Sequence, residues 1–202
     1  MTALAQAALR PRTRGAGLAY DAALVLGGSL LIAGLAQLTI RLPFTPVPIS
    51  GQTLGVLVVG TAYGWLLGGL TLLMYLAEIA IGLPFAAEGA AGADVLLSLP
   101  SGGYLWGFLA ASLLMGWLAN HGWDRSIRSS ISVMLLGSIV IYVFGLLWLH
   151  GNAVFAGLLG HAPSLEDTLE AGLYPFIIGD AIKLLLAAAA LPLAWRLIGR
   201  RD

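Results

Sequence analysis

The stretch GLYPFIIGDAIKLLLAAAALPLAWRLI, residues 172–198, holds only three charges, Asp180, Lys183 and Arg196, in a run of apolar side chains. A helix needs roughly 20 apolar residues to cross the hydrocarbon core of a bilayer, and this run supplies them. Pro192 lies inside it and marks an expected kink or end. Working outward, further apolar runs of this kind occupy 18–40, 65–83, 102–120 and 127–150, with a short glycine-containing run at 50–63. The expectation is an all-α polytopic membrane protein with six spans, forming one domain over 1–202 behind a cytoplasmic segment 1–17.

Composition supports this. The chain is 59% hydrophobic and 10% charged, with a mean hydropathy of +0.91. An ordinary soluble domain carries about 25% charged residues, so lipid must replace water over most of this exterior. The formal net charge is zero, which argues against nucleic acid as a partner. Without cysteine, disulfides and thiolate metal sites are excluded. The opening MTALAQAALRPRTRG places bases ahead of an apolar run, but that run is too long for a signal-peptide core and no small-residue cleavage site ends it.

The bases fix an orientation. Arg10, Arg12 and Arg14 precede the first span, Arg125 and Arg128 separate the fourth from the fifth, and Arg196, Arg200 and Arg201 close the last. With six spans these regions share one side, which the positive-inside rule makes cytoplasmic, with both termini. Loops 41–49, 84–100 and 151–171 then face outward, carrying Glu88, Asp94, Glu166, Asp167 and Glu170 against a single base, Arg41. Two of these loops are long for a compact bundle, as functional lids often are. Ala19, Ala23 and Gly27 recur at four-residue spacing along the first span. Such a face packs closely on another helix, within this bundle or in a membrane partner.

Three ionisable residues, Glu78, Asp180 and Lys183, stand well inside the spans. A charge near the bilayer centre costs about 3 kcal/mol on insertion scales, and such residues usually mark a substrate or ion path. Asp180 and Lys183, three residues apart, share a helix face. Asp180 is expected about 12 Å into the last span, counted from residue 172 at 1.5 Å per residue. Glu78 lies at comparable or shallower depth, so the three define a site in the outer half of the bundle. A double acceptor beside a triple donor suits a urea-like or amide group, or a carboxylate held by the lysine. Tyr104 and Phe176 are the aromatics best placed to line it. Histidines 121, 150 and 161 are scattered, so no metal site is expected, and no cofactor. Without a nucleophile–base pattern, a phosphate loop or HExxH, the chain is not expected to be an enzyme.

Four motifs carry a resemblance to a known family. LPFTPVPISGQTL (42–54), GLPFA (82–86), LPSGGYLWGF (99–108) and PFIIGDAIK (175–183) resemble, in order, elements of BioY-type biotin transporters, the substrate-binding components of energy-coupling factor uptake systems. The resemblance implies six spans, contact of Asp180 and Lys183 with biotin, and a loop around Phe44, Val47 and Ile49, followed by Gln52, that closes over the ligand. Asp180 would accept from a ureido N–H, while Lys183 would donate to the ureido carbonyl or balance Asp180. It also implies docking of Ala19, Ala23 and Gly27 on a coupling transmembrane subunit that works with ATPases. Glu78 and Glu88 depart from the pattern, standing where the family more often has small residues. The function expected is biotin uptake across the bacterial cytoplasmic membrane, coupled to such a module or solitary. The rival from another class is a membrane assembly factor or membrane-embedded enzyme.

Overall fold

The computed structural model describes residues 3–5, 11 and 13–198, the last by its backbone, and these residues are mostly helical. In chain order it runs α1 (Arg14–Ala36), β1 (Thr39–Ile40), β2 (Ile49–Ser50), α2 (Gln52–Ala80), a 3₁₀ turn (Ala87–Gly89), α3 (Asp94–Leu97) and α4 (Gly102–Asn120). There follow α5 (Ile127–His150), α6 (Ala153–Leu159), α7 (Leu165–Gly172) and α8 (Ile177–Ile198). Five of these, α1, α2, α4, α5 and α8, are long and apolar enough to cross a membrane.

Helix α2 is not straight. Gly64 has φ 75° and ψ 175°, which breaks the helical path. The chain reverses there, as the Gln52 side-chain amide shows by donating from Nε2 to the Tyr75 hydroxyl at 2.5 Å. In a straight helix residues so spaced would stand about 35 Å apart. Two antiparallel arms result, 52–63 and 65–80. A left-handed φ favours glycine, and a Cβ at Gly64 would fall 2.6 Å from the Asn120 side-chain oxygen. That oxygen instead accepts the Trp65 N–H at 3.1 Å, tying the reversal to the end of α4.

Chain direction then sorts the connections to two ends of the bundle. One end carries the start of α1, the Gly64 reversal, the 121–126 turn and the end of α8. The other carries the β1–β2 hairpin, 81–101 and 151–176. Arg14, Arg125, Arg128 and Arg196 lie at the first end, whereas Arg10, Arg12, Arg200 and Arg201 fall outside the described residues. At that end Asp124 is fully buried, accepts the Trp195 indole N–H at 2.6 Å, and has its carboxyl pushed above the usual range by burial. The Arg125 guanidinium lies over the Trp195 ring, so the tail of α8 is pinned to the α4–α5 turn.

The helix exteriors are apolar: Leu147, Ile178, Leu185 and Leu197 are all more than half exposed. Two buried threonines inside α2 return their protons to the preceding turn, Thr61 to the Leu57 carbonyl and Thr71 to that of Leu67. Satisfying these buried polar groups locally avoids the cost of leaving them unpaired away from water.

Several expected boundaries move. Helices α4 and α5 occupy 102–120 and 127–150, as the hydropathy places them. The first span, expected to reach residue 40, stops at Ala36, where the chain turns into a two-residue ladder pairing Thr39 with Ser50 and Ile40 with Ile49. The third, expected to reach 83, stops at Ala80. The last begins at Ile177 rather than 172, because α7 ends at Gly172 and residues 173–176 turn through Pro175. It runs on through Pro192 to Ile198. Asp180 therefore stands in the first turn of α8, about 5 Å from its start rather than 12 Å. The two long loops are built segments. Asn152 caps α6 at the Phe155 N–H and donates to the Ser98 carbonyl at 2.8 Å, while Ser164 and Asp167 form a capping box on α7. Those Ser164 bonds hold the Asp167 carboxyl below its ordinary range.

Candidate functional site

A cavity of about 300 Å³ opens at the end of the bundle that carries the hairpin. It falls at the lower edge of the size range of small-molecule sites. Its walls come from every connection at that end. Pro46, Val47 and Pro48 descend from the hairpin loop; Ser50 of β2 and Gln52 and Thr53 at the start of α2 follow; Ala86, Ala87, Glu88, Ala90 and Val95 close one flank. Tyr104, Leu105 and Phe108 of α4, Ile141 and Tyr142 of α5, and Phe176, Asp180 and Lys183 complete it.

The floor is a closed polar network. Lys183 donates to the Asp180 carboxylate at 2.8 Å, the Thr53 hydroxyl at 3.0 Å and the Ser50 carbonyl at 2.7 Å. An ammonium has three N–H donors, so all are committed. The same Asp180 oxygen accepts from Thr53 at 3.1 Å, and the second accepts from the Tyr142 hydroxyl at 2.5 Å. A carboxylate offers about four lone-pair sites, which leaves Asp180 one vacancy for a ligand donor. The pair is largely buried, and these hydrogen bonds offset the cost of taking two charges out of water. Placing Asp180 in the first turn of α8 also aims its charge where a helix N-terminus favours an anion.

Aromatic groups frame this floor. Tyr104 meets Tyr142 edge-on with ring centroids 6.4 Å apart, and its hydroxyl donates to the Gly172 carbonyl at 2.7 Å. The ring lies against Gly145, where a Cβ would stand 2.3 Å from it. Gln52 is buried and held between the Ser50 hydroxyl and Tyr75, whose own hydroxyl donates to the Phe85 carbonyl at 2.9 Å. The hairpin loop is fastened from within, since the Thr45 hydroxyl donates to the Ala171 carbonyl at 2.5 Å.

Of the residues expected at a site, the fold gathers Asp180, Lys183, Val47, Gln52, Tyr104 and Phe176 around one cavity. It leaves three outside the lining. Phe44 is 66% exposed and borders a separate shallow depression with Glu170, Tyr174 and Pro175. Ile49 is spent on the β ladder. Glu78 is buried between helices and accepts from the Ser29 hydroxyl of α1 at 3.2 Å. Its position on α2, 26 residues from Gln52 along a doubled-back chain, turns it toward α1 instead of the cavity. Residues that sequence reasoning missed are Thr53, Tyr142 and the rim pair Arg41–Glu88. Tyr142 sits among apolar residues of α5 with no local signal; Thr53 carries one, a hydroxyl beside Gln52 in the stretch 42–54. Ala19, Ala23 and Gly27 all lie exposed on the outer face of α1, and a Cβ at Gly27 would meet nothing within 4 Å.

The described residues contain no group of three or more histidine, cysteine or acidic side chains arranged to hold a metal ion.

Comparison with known proteins agrees with this architecture. Residues 5–200 match the model of the BioY family. The chain is similar to the probable biotin transporter BioY of Methanothermobacter thermautotrophicus, 41% identical over 105 residues that span 50% of this chain and 63% of that protein. It is 35% identical to the biotin transporter BioY of Rhizobium etli over 74% of this chain and 78% of that one. It is 30% identical to the biotin transporter BioY2 of Lactococcus lactis subsp. cremoris over 83% and 85%. In three dimensions it is similar to the crystal structure of the S-component for biotin from an ECF-type ABC transporter. The TM-score is 0.77 at 27% identity, covering 92% of this chain and 95% of that one.

Proposed function

Because this chain belongs to the BioY family, we propose that it is a multi-pass membrane protein that captures biotin and carries it into the cell as the substrate-binding component of an energy-coupling factor transporter. It is a transport protein and not an enzyme. The observation that carries the reading is the cavity whose floor is the Asp180–Lys183–Thr53–Tyr142 network and whose walls are aromatic and aliphatic.

The chemistry fits the ligand. Biotin presents a ureido ring with two N–H donors beside a carbonyl, an apolar thioether ring, and a carboxylate tail. The open lone pair of Asp180 accepts one ureido N–H. Lys183, with every N–H committed, balances and orients Asp180, which favours the second of the two roles that the sequence leaves to it. Tyr104, Phe108 and Phe176 cover the apolar ring, and the hairpin loop through Val47 closes over the ligand.

The arms of α2 count as two membrane crossings on either side of Gly64, which makes six spans. With the arginine-bearing end cytoplasmic by the positive-inside rule, both termini are inside and the cavity opens outward. The membrane in this reading is the cytoplasmic one. The exposed small-residue face of α1 at Ala19, Ala23 and Gly27 is the surface offered to a coupling transmembrane subunit, whose ATPases drive uptake.

Binding of radiolabelled biotin to the detergent-purified chain tests the ligand: sub-micromolar affinity is expected, and its absence rejects biotin. Uptake in cells with and without coupling subunits tests the partner. Accumulation should need them; undiminished uptake in their absence identifies a solitary transporter.

A further inference from the structure

The rim of the cavity carries an ion pair that the floor chemistry does not use. Arg41 leaves the β1–β2 hairpin and meets Glu88 through two parallel bonds, one from Nε to Oε1 at 2.7 Å and one from Nη2 to Oε2. Both residues line the cavity. The side chains belong to separate connections, so the pair bridges the mouth. Arg41 is mostly exposed and Glu88 mostly covered.

Two further observations bear on it. Among the described residues Glu88 is the sole non-glycine with a left-handed backbone, φ 62° and ψ 22°. That conformation disfavours a side chain with a Cβ, and such outliers cluster at ligand clamps. Among the cations lining the cavity, Lys183 has no uncommitted donor, whereas the Nε–Nη2 fork of Arg41 is held by Glu88, a carboxylate that another carboxylate can replace. A planar guanidinium is matched to bidentate recognition of a carboxylate.

We infer that Arg41 reads the carboxylate of the ligand, and that Glu88 holds its place in the empty site. The proposal rests on the biotin reading and deepens it by assigning the ligand's anionic end to the rim. Ligand carboxylate and Glu88 carboxylate compete for one fork. On binding, the guanidinium exchanges one carboxylate for the other and Glu88 swings clear of the mouth. Selectivity for the free acid over neutral derivatives therefore resides in Arg41, and affinity for the acid is held down by Glu88.

The test compares biotin with biotin amide, in which the tail is uncharged, by equilibrium binding to the purified full chain. In Arg41→Gln, biotin should weaken about tenfold or more, the loss of one charge-assisted pair, while the amide changes less than about twofold. In Glu88→Gln, which keeps Arg41, biotin should tighten severalfold with the amide unchanged. Equal weakening of both ligands in Arg41→Gln, no change in either, or weaker biotin binding in Glu88→Gln overturns the inference while leaving the biotin reading intact. Binding of neither ligand to the parent chain overturns the biotin reading itself, and this inference with it. Should Arg41→Gln fail to fold, Glu88→Gln alone decides by its ratio of acid to amide affinity.

Discussion

Replacing Asp180 by asparagine keeps the shape of the side chain and removes its charge. Three bonds are at stake: Lys183 at 2.8 Å, Thr53 at 3.1 Å and Tyr142 at 2.5 Å. An asparagine has one acceptor oxygen, so Lys183 or Tyr142 must face its amide nitrogen. Bonds to a charged partner contribute about 1.5–3 kcal/mol each. Stranding one ion of a fully buried pair costs about 3–5 kcal/mol. Because both side chains keep some exposure, about 2–3 kcal/mol of stability is the expected loss. For the ligand, one charge-assisted bond becomes a neutral or repulsive contact, which weakens biotin by about 10- to 100-fold. Lys183→Met strands the carboxylate and should cost a similar amount of stability. The double variant removes both charges and should lose less than the sum, with a coupling of at least about 1 kcal/mol. Melting curves of the four proteins in one detergent, paired with calorimetric titration of biotin, measure both quantities. Additive stability losses, or undiminished biotin binding by Asp180→Asn, refute the reasoning.

Other consequences are equally open to measurement. Gly64→Ala places a Cβ 2.6 Å from the Asn120 oxygen at a left-handed φ; it should lower stability by more than about 2 kcal/mol, read as a drop in melting temperature and yield of folded protein. Thr45→Val removes the bond that fastens the hairpin loop to Ala171 and should speed biotin dissociation severalfold in a chase experiment, with little change in melting temperature. Burial raises the Asp124 carboxyl, so the cost of its ionised form is present above its folded pKa and disappears as pH falls through it. Asp124→Asn keeps an acceptor for Trp195 and should melt at or above the parent at pH 8, with the difference shrinking toward acid; a difference that grows toward acid contradicts this sign.

How much could be read from residues alone differs from element to element. Helices α4 and α5 are legible because a continuous apolar run is bounded at both ends by polar or turn residues. The Gly64 reversal is half legible: a break between 63 and 65 follows from the lengths of the two runs. That the arms fold flat depends on Asn120 and Gly116, more than fifty residues away. The entry to α8 is not legible, because hydropathy cannot separate an apolar turn at 173–176 from an apolar helix. At the site, Asp180 and Lys183 stand out because charge in an apolar run is locally visible. Tyr142, Thr53 and the Arg41–Glu88 pair acquire their meaning only from side chains that the fold brings to them. Glu78 shows the converse, since its depth on α2 matches the cavity but its rotation about the helix directs it to Ser29.

The central claim is that this cavity holds biotin by its ureido ring against Asp180. An experimental structure of the chain purified with biotin addresses it directly. The account predicts a ureido N–H donating to the Asp180 carboxylate at about 2.7–3.0 Å, with Lys183 still bound to Asp180. Biotin seated elsewhere, or its ureido ring turned away from Asp180, contradicts it.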